Sequence, residues 1–550
     1  MSRPGAGCPG CCGASAVSAA LGAACRPDPT AAERLRVMIG ELRDPSQTAA
    51  ERAARNVAEN ATLCRPEAGP VSGRGLDAGA SATPADAPSA SANDLGAHRH
   101  LSARTTAVDS EWSSRTQRME GATQIAGIAP AGCMLPDGCL RFVSPSTGGW
   151  GIVRGALAVP ESVMLFVAPR GCGRHGSVAS VLNGYRGRIF YLDVPEADFV
   201  MGGHVDRSEE MVARILEVLP SRPRAFFICS TCVDDLLGSD FDGVCARCTE
   251  RYGIPFSACH MDPITRNSST PPAFNLQRSI YRTLWLSGRA EQRDSGAVNL
   301  IGGFVPVDGG SELYRVLGRA GFGRVRQLPS CRTFDEFLEM RGASFNLMLK
   351  GHASLACADM RDRLGIPFVR VRQGFGVEEV RALYRDLGRE LGAEFDVSEE
   401  AEACAAHLDE ARGWLSGLSV AVGENLNGSS FEIALLLARL GARIPFVISD
   451  GIAPAEWPAI LELRELQPDV AVYPASHPGL SLISEVPERA EVAIGFDAAK
   501  LAPGSRLFEF GCDVEPFGFE APLSVVDGVR GALEHPVSAK ELLYSKGLVV

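Results

Sequence analysis

No stretch of this chain offers the roughly 18 to 20 consecutive apolar residues that cross a bilayer. Apolar runs such as SVMLFVA have the length and content of a buried strand instead. An excess of base is missing too. The formal net charge is -12 over 550 residues, which argues against a general nucleic-acid binder, whose footprint is a basic face. The N-terminal Ala-rich stretch ending in LGAAC is too weakly apolar for a secretory leader, so the cytoplasm is the expected compartment. What remains is an ordinary globular composition, 45% hydrophobic and 22% charged, with length for three or four domains of roughly 150 residues each.

Cysteine is what the chain has in plenty: 17, in clusters. In a cytosolic protein that abundance points to metal or redox chemistry rather than to disulfides. The stretch CSTCVDDLLGSDFDGVCARC, from Cys229 to Cys248, carries two Cys-x-x-Cys pairs, a spacing that suits a tetrahedral zinc site. A zinc-stabilised, non-redox α/β binding protein is therefore one reading of the chain. A further group, Cys8, Cys11, Cys12, Cys25 and Cys64, lies among Gly, Ala and Pro in residues 1–108. That region includes GPVSGRGLDAGASATPADAPSASAND, which has too little apolar surface to offset its ordering entropy and reads as a largely disordered extension.

From residue 109 onward, β-branched apolar runs (SVMLFVA, RIFYLDV, RAFFIC, AVNLIGG, LSVAVGE, DVAVYP) alternate with amphipathic helical stretches. This is the pattern of parallel sheets covered by helices on both faces. CARCTERYGIPF from Cys245, CADMRDRLGIPF from Cys357 and the looser LLARLGARIPFVI from Leu436 repeat one design. Each is a helix end, a Gly stop and an Ile-Pro-Phe lead into the next strand. The fold class expected is α/β, with three Rossmann-like domains: 109–275 (joined by the C-terminal segment 516–550), 276–395 and 396–515.

The repeat decides how the four-cysteine stretch divides. RAFFIC reads as a strand ending at Cys229, STC as a turn, and DFDGVCARCTERYG as a helix. Cys245 and Cys248 lie one helical turn apart, and the second copy has Cys357 and Met360 in the same slots, so both are expected in the core. Cys232 differs, because it falls beyond a strand's carboxyl end, where open α/β sheets place ligands. Cys172, in the RGCGRHG turn after SVMLFVAP, holds a comparable place, and PAGCMLPDGCLRF offers Cys133 and Cys139 in a Pro/Gly loop. Widely spaced loop thiolates do not form a zinc-finger pattern, and thiolates are the usual ligands of iron–sulfur clusters.

GCLRF, APRGCG, ADFVMGGHVDRSEEMV and STCVDDLLGSDFDGV, taken in that order, resemble the nitrogenase component 1 family. The likeness continues through NLIGGFVPVDGGSELYRVLGRAGF, NLMLKGH, LGIPFVRVRQGFGVEEVRALYRDL and LQPDVAVYPASH, covering about 130–530. The resemblance implies Cys139, Cys172 and Cys232 as ligands of an iron–sulfur cluster, with Cys133 the alternative to Cys139. That cluster would be a [4Fe–4S] or a larger P-cluster-like one, at the interface with an identical or homologous subunit in a dimer or heterotetramer. The resemblance also implies electrons from an ATP-dependent iron-protein reductase, with no nucleic acid or membrane partner. An oxidoreductase is the leading expectation, and a scaffold for assembling a nitrogenase-type metal cofactor is the alternative.

The chain departs from the family pattern at three places. The family's cofactor cysteine falls here at Leu349 or Lys350, the C-terminal FGCDVEPFGFEAPLSVVDG lacks the cofactor histidine, and the Glu after Gly-Gly is His204. A molybdenum–iron cofactor held in the usual way, and nitrogen fixation itself, are therefore not expected. Lys350 and His352, at a strand end, are the candidate substrate-facing residues. Cys331 and His477 are lesser cavity candidates, and Cys259-His260 and Cys404 with His407 lack companions for a metal site. VGENLNGSSFE has a phosphate-loop spacing but places Ser429 where that loop needs Lys. It reads as a tight turn with Ser429 or Ser430 capping a helix, so this chain is not expected to bind ATP.

Overall fold

The computed structural model describes residues 155–538 apart from 174–175, 178–179, 181–183, 262–271, 289–291, 450–451, 476–484, 487 and 512–514. The expected extension 1–108, Cys133, Cys139 and His477 lie outside the described residues.

Among the described residues, thirteen strands form three parallel sheets. β1 (Ser162–Ala168), β2 (Ile189–Asp193), β3 (Ala225–Thr231) and β4 (Phe256–Met261) stand in the order β2-β1-β3-β4. β5 (Asp294–Ile301), β6 (Arg324–Gln327), β7 (Ala343–Met348) and β8 (Phe368–Arg370) repeat it as β6-β5-β7-β8. β9 (Val420–Val422), β10 (Phe446–Ile448), β11 (Ala471–Tyr473), β12 (Val492–Ile494) and β13 (Arg506–Phe508) give β11-β10-β9-β12-β13. Each sheet grows outward on one side of its first strand and then on the other. The direction therefore reverses between β1 and β3, between β5 and β7, and between β9 and β12. At such a switch point the two connections leave in opposite directions and a crevice opens at the carboxyl edge.

The central strands explain themselves. All seven residues of β1 and all seven of β3 are buried, as strands covered on both faces require. Side chains alternate along β5 and β7. Val298, Leu300, Phe345 and Leu347 face a core shared with the third sheet, while Ile301 and Met348 face one shared with the first. Between them, the buried Asn299 Nδ2 donates to Asn346 Oδ1 at 2.8 Å and to the Met340 carbonyl at 2.9 Å, linking two residues in sheet register. The helix Pro272–Leu286 lies against β4 and the helix Ser354–Leu364, tying the first two sheets together.

The repeated Gly stops take left-handed backbone, φ 65 at Gly253, 69 at Gly365 and 91 at Gly441, which a side chain would oppose. Phe256, Phe368 and Phe446 then open β4, β8 and β10. Two expectations need correction. The strand carrying Cys229 runs on to Thr231, and Cys232, expected in a turn, opens a separate short helix, Cys232–Leu237, ahead of the expected one at Phe241–Tyr252. The helix Glu520–Glu534 also packs on β12, β13 and the helix Ser398–Leu415 of the third unit, not on the first domain. Its apolar face, Val525, Val526 and Val529, belongs to the core of the second and third sheets.

Candidate metal centre

The crevice between β1 and β3 receives a cysteine from each side. After β1 the chain turns at once, and the Cys172 amide donates to the Pro169 carbonyl at 2.9 Å. Gly173 permits the turn to sit close to the first sheet, since a Cβ there would meet the Tyr191 ring at 3.2 Å. Cys172 is half-buried and packs against the core shared by the first two sheets. After β3 the chain enters the helix Cys232–Leu237 directly, with Cys232 as its first residue and also half-buried. Strands β1 and β3 are neighbours in register, Phe166 beside Cys229, so their ends deliver Cys172 and Cys232 to one edge of the sheet.

Thr231 caps the Cys232 helix. Its amide and hydroxyl both donate to Asp234 Oδ2, at 3.0 and 3.3 Å. The other Asp234 oxygen stands 2.7 Å from His204 Nε2, and His204 Nδ1 faces the Asp198 carbonyl at 3.2 Å. Both rings of the cage are apolar: Phe199 and Phe241 lie 4.7 and 6.1 Å from the imidazole. The neighbouring Asp235 holds His260 Nδ1 at 2.7 Å, and Ser230 Oγ is 3.2 Å from the same nitrogen. The sequence signal for this cap is Thr-x-x-Asp at 231–234.

The other cysteines of the Cys229–Cys248 stretch turn into the core. Cys229, Cys245 and Cys248 are buried, and Cys259 lies beside Cys229 in β4. Burial pushes the Cys229, Cys245 and Cys259 thiols far up, and Cys248 to about 11. A thiol held protonated is a poor ligand. Cys357 and Cys404 are likewise buried, raised to about 12 and about 11. Cys331 is half-buried, but burial raises it to about 12 and its Sγ donates to the Gln327 carbonyl. His407 makes a surface pair with Asp527. Among the described residues, no group of three or more His, Cys, Asp or Glu is arranged to hold a metal ion. Cys172 and Cys232 are thus the two expected ligands the structure places, and as half-exposed thiols at one sheet edge they fit a thiolate-held group.

The second and third switch points meet at Lys350. It follows β7, pairs with Glu515 Oε1 at 2.8 Å and donates to Asn427 Oδ1, beyond β9, at 2.6 Å. His352 Nε2 donates to the Gly302 carbonyl, at the end of β5, at 3.0 Å, and burial lowers its pKa to about 4. At the third switch point Asp497 accepts from the Glu424 amide at 2.7 Å, and burial raises its pKa. Gly423 has no room for a side chain, because a Cβ would strike Asp497. Ser429 caps the helix Ser430–Arg439 by accepting from the Glu432 amide, as its sequence position implied.

A family model described as nitrogenase component 1 type oxidoreductase matches residues 149–485. The nitrogenase iron-molybdenum cofactor biosynthesis protein NifE of Clostridium pasteurianum is 25% identical over 278 residues, 48% of this chain and 59% of that protein. The same-named protein of Rhizobium meliloti is 25% identical over 54% of this chain and 60% of its own length. The nitrogenase molybdenum-iron protein alpha chain of Methanococcus maripaludis is 24% identical over 44% and 52%. The chain therefore spans roughly half to three fifths of these curated relatives. A solved structure titled nitrogenase Cp1 at pH 6.5 superposes with a TM-score of 0.55 at 16% identity, covering 74% of this chain and 95% of that one, a likeness of fold.

Proposed function

The chain belongs to the nitrogenase component 1 type oxidoreductase family, and from that premise we propose that it is a redox subunit holding a cysteine-ligated iron–sulfur cluster where it meets a second subunit. The observation that carries this reading is the placing of Cys172 and Cys232 at the ends of two neighbouring strands, flanking the first switch point. Cys139, or Cys133, would add a third thiolate from this chain. When bound, such a cluster passes single electrons at a potential set by its ligands, hydrogen bonds and burial. The chain's own part is to present the two thiols, to hold the other cysteines of the region protonated, and to wall the site with β1 and β3. Electrons would come from an ATP-dependent iron protein, with the substrate near Lys350 and His352. The cytoplasm is its compartment in this reading; among the described residues no helix is long and apolar enough to cross a membrane.

The exposed apolar residues support a partner. Val200 and Met201 are 76% and 81% exposed, and Leu236 and Leu237 are 72% and 54%. They end two short helices, Glu196–Met201 and Cys232–Leu237, which both reach His204, through the Asp198 carbonyl and the Asp234 carboxylate. A homologous subunit seated there would bury them and supply the remaining ligands, with a dimer or heterotetramer as the result.

Likeness to cofactor biosynthesis proteins favours a second reading, a scaffold on which a metal cofactor is assembled and released. Anaerobic purification with iron, labile sulfide and zinc analysis tests the shared core of both. A brown, sulfide-containing protein is expected; a colourless one with stoichiometric zinc would sink both. Turnover with an iron-protein reductase then separates them, since a scaffold supports none.

A further inference from the structure

His204 and Asp234 are each 1% exposed, and they lie 30 positions apart in sequence on separate helices. Every polar atom of the pair is engaged. His204 Nδ1 lies 3.2 Å from the Asp198 carbonyl, and Nε2 lies 2.7 Å from the Asp234 carboxylate with Ser239 Oγ 3.3 Å away. Asp234 turns one oxygen to His204 and the other to the amide and hydroxyl of Thr231. A continuous chain of contacts thus runs from the Asp198 carbonyl through His204 and Asp234 to Thr231, the residue bonded to Cys232.

We infer that His204 is a positioning residue: acting through Asp234, it locks the passage from β3 into the next helix and so fixes the backbone that presents Cys232. The inference rests on the reading of Cys232 as a cluster ligand. Buried pairs of this kind seldom add stability over apolar replacements, and in some proteins they specify one arrangement.

The test compares wild type, His204→Gln and the double variant His204→Leu with Asp234→Asn, which removes the pair without stranding a buried charge. In metal-free protein, the amides of Cys232–Asp235 should exchange with solvent at least about tenfold faster in the double variant, with those of Phe226–Ile228 unchanged. After anaerobic cluster reconstitution, the electron paramagnetic resonance g-values should shift in the double variant, and His204→Gln, which keeps one donor, should restore part of both signals. Exchange that rises equally across the whole sheet, or g-values identical in all three proteins, would overturn the inference. Failure of the underlying reading looks different: wild type itself would then hold no iron, while the exchange data would still report whether the clamp exists.

Discussion

Lys350 and Asn427 join the ends of two strands from different sheets, the lysine ammonium donating to the asparagine carbonyl oxygen at 2.6 Å. Glu515, almost fully buried, takes the same ammonium at 2.8 Å. The second and third units are thereby pinned at their switch points by one side chain. Lys350→Met should cost about 2 kcal/mol in urea unfolding, because it leaves the Glu515 carboxylate uncompensated. Adding Glu515→Gln to it should recover most of that loss. Equal stability of the single and double variants would show that the pair contributes nothing.

The cysteines of the opening stretch should separate by experiment. Cys172→Ala and Cys232→Ala should each lose most of the bound iron and sulfide. Cys245→Ala and Cys248→Ala should keep it, at a packing cost of about 1 kcal/mol each. Iron loss from the Cys245 or Cys248 variants at unchanged stability would return the four-cysteine zinc-type grouping to consideration.

Two partly buried groups should give the chain opposing pH responses. Burial lowers His352 to about 4, so below the ordinary histidine value the unfolded chain binds the extra proton and stability falls as pH drops from about 6.5 to 4. Burial raises Glu432 to about 7 despite its pairing with Arg372. There the folded chain holds the extra proton, and stability falls as pH rises from about 4.5 to 7. The two contributions, on the order of 3 kcal/mol each, nearly cancel. Glu432→Gln should leave stability that rises with pH across this window, and His352→Gln stability that falls. Parallel curves for both variants in a denaturation series would refute the opposition.

Ser429→Ala should lower stability by about 1 kcal/mol through loss of the helix cap. Millimolar ATP with magnesium should leave the wild-type melting temperature unmoved. A rise on adding nucleotide would mean that the loop after β9 binds phosphate without a lysine.

Much of this was legible because Gly and strand composition are local signals. A Gly stop followed by Ile-Pro-Phe, directly in two copies and after Ala-Arg in the third, marked three helix ends and three strand starts, and glycine suits the left-handed backbone at Gly253, Gly365 and Gly441. Cys245, Cys248 and Cys357 were readable as core from helical spacing. What was not legible is long-range. Nothing local tells that β1 sits between β2 and β3, that Asp234 meets His204, or that Lys350 reaches Asn427. The C-terminal helix was assigned to the wrong unit for the same reason: its valines would suit any apolar surface.

The buried thiols also form a set of clocks. Cys229, Cys245, Cys248 and Cys259 are sealed in the first unit, Cys357 lies on a helix of the second, and Cys404 lies on the helix Ser398–Leu415 of the third. Each becomes open to an alkylating reagent only when its own surroundings come apart. Pulse labelling followed by peptide mapping would therefore report which third of the molecule opens first under stress, with no engineered probe.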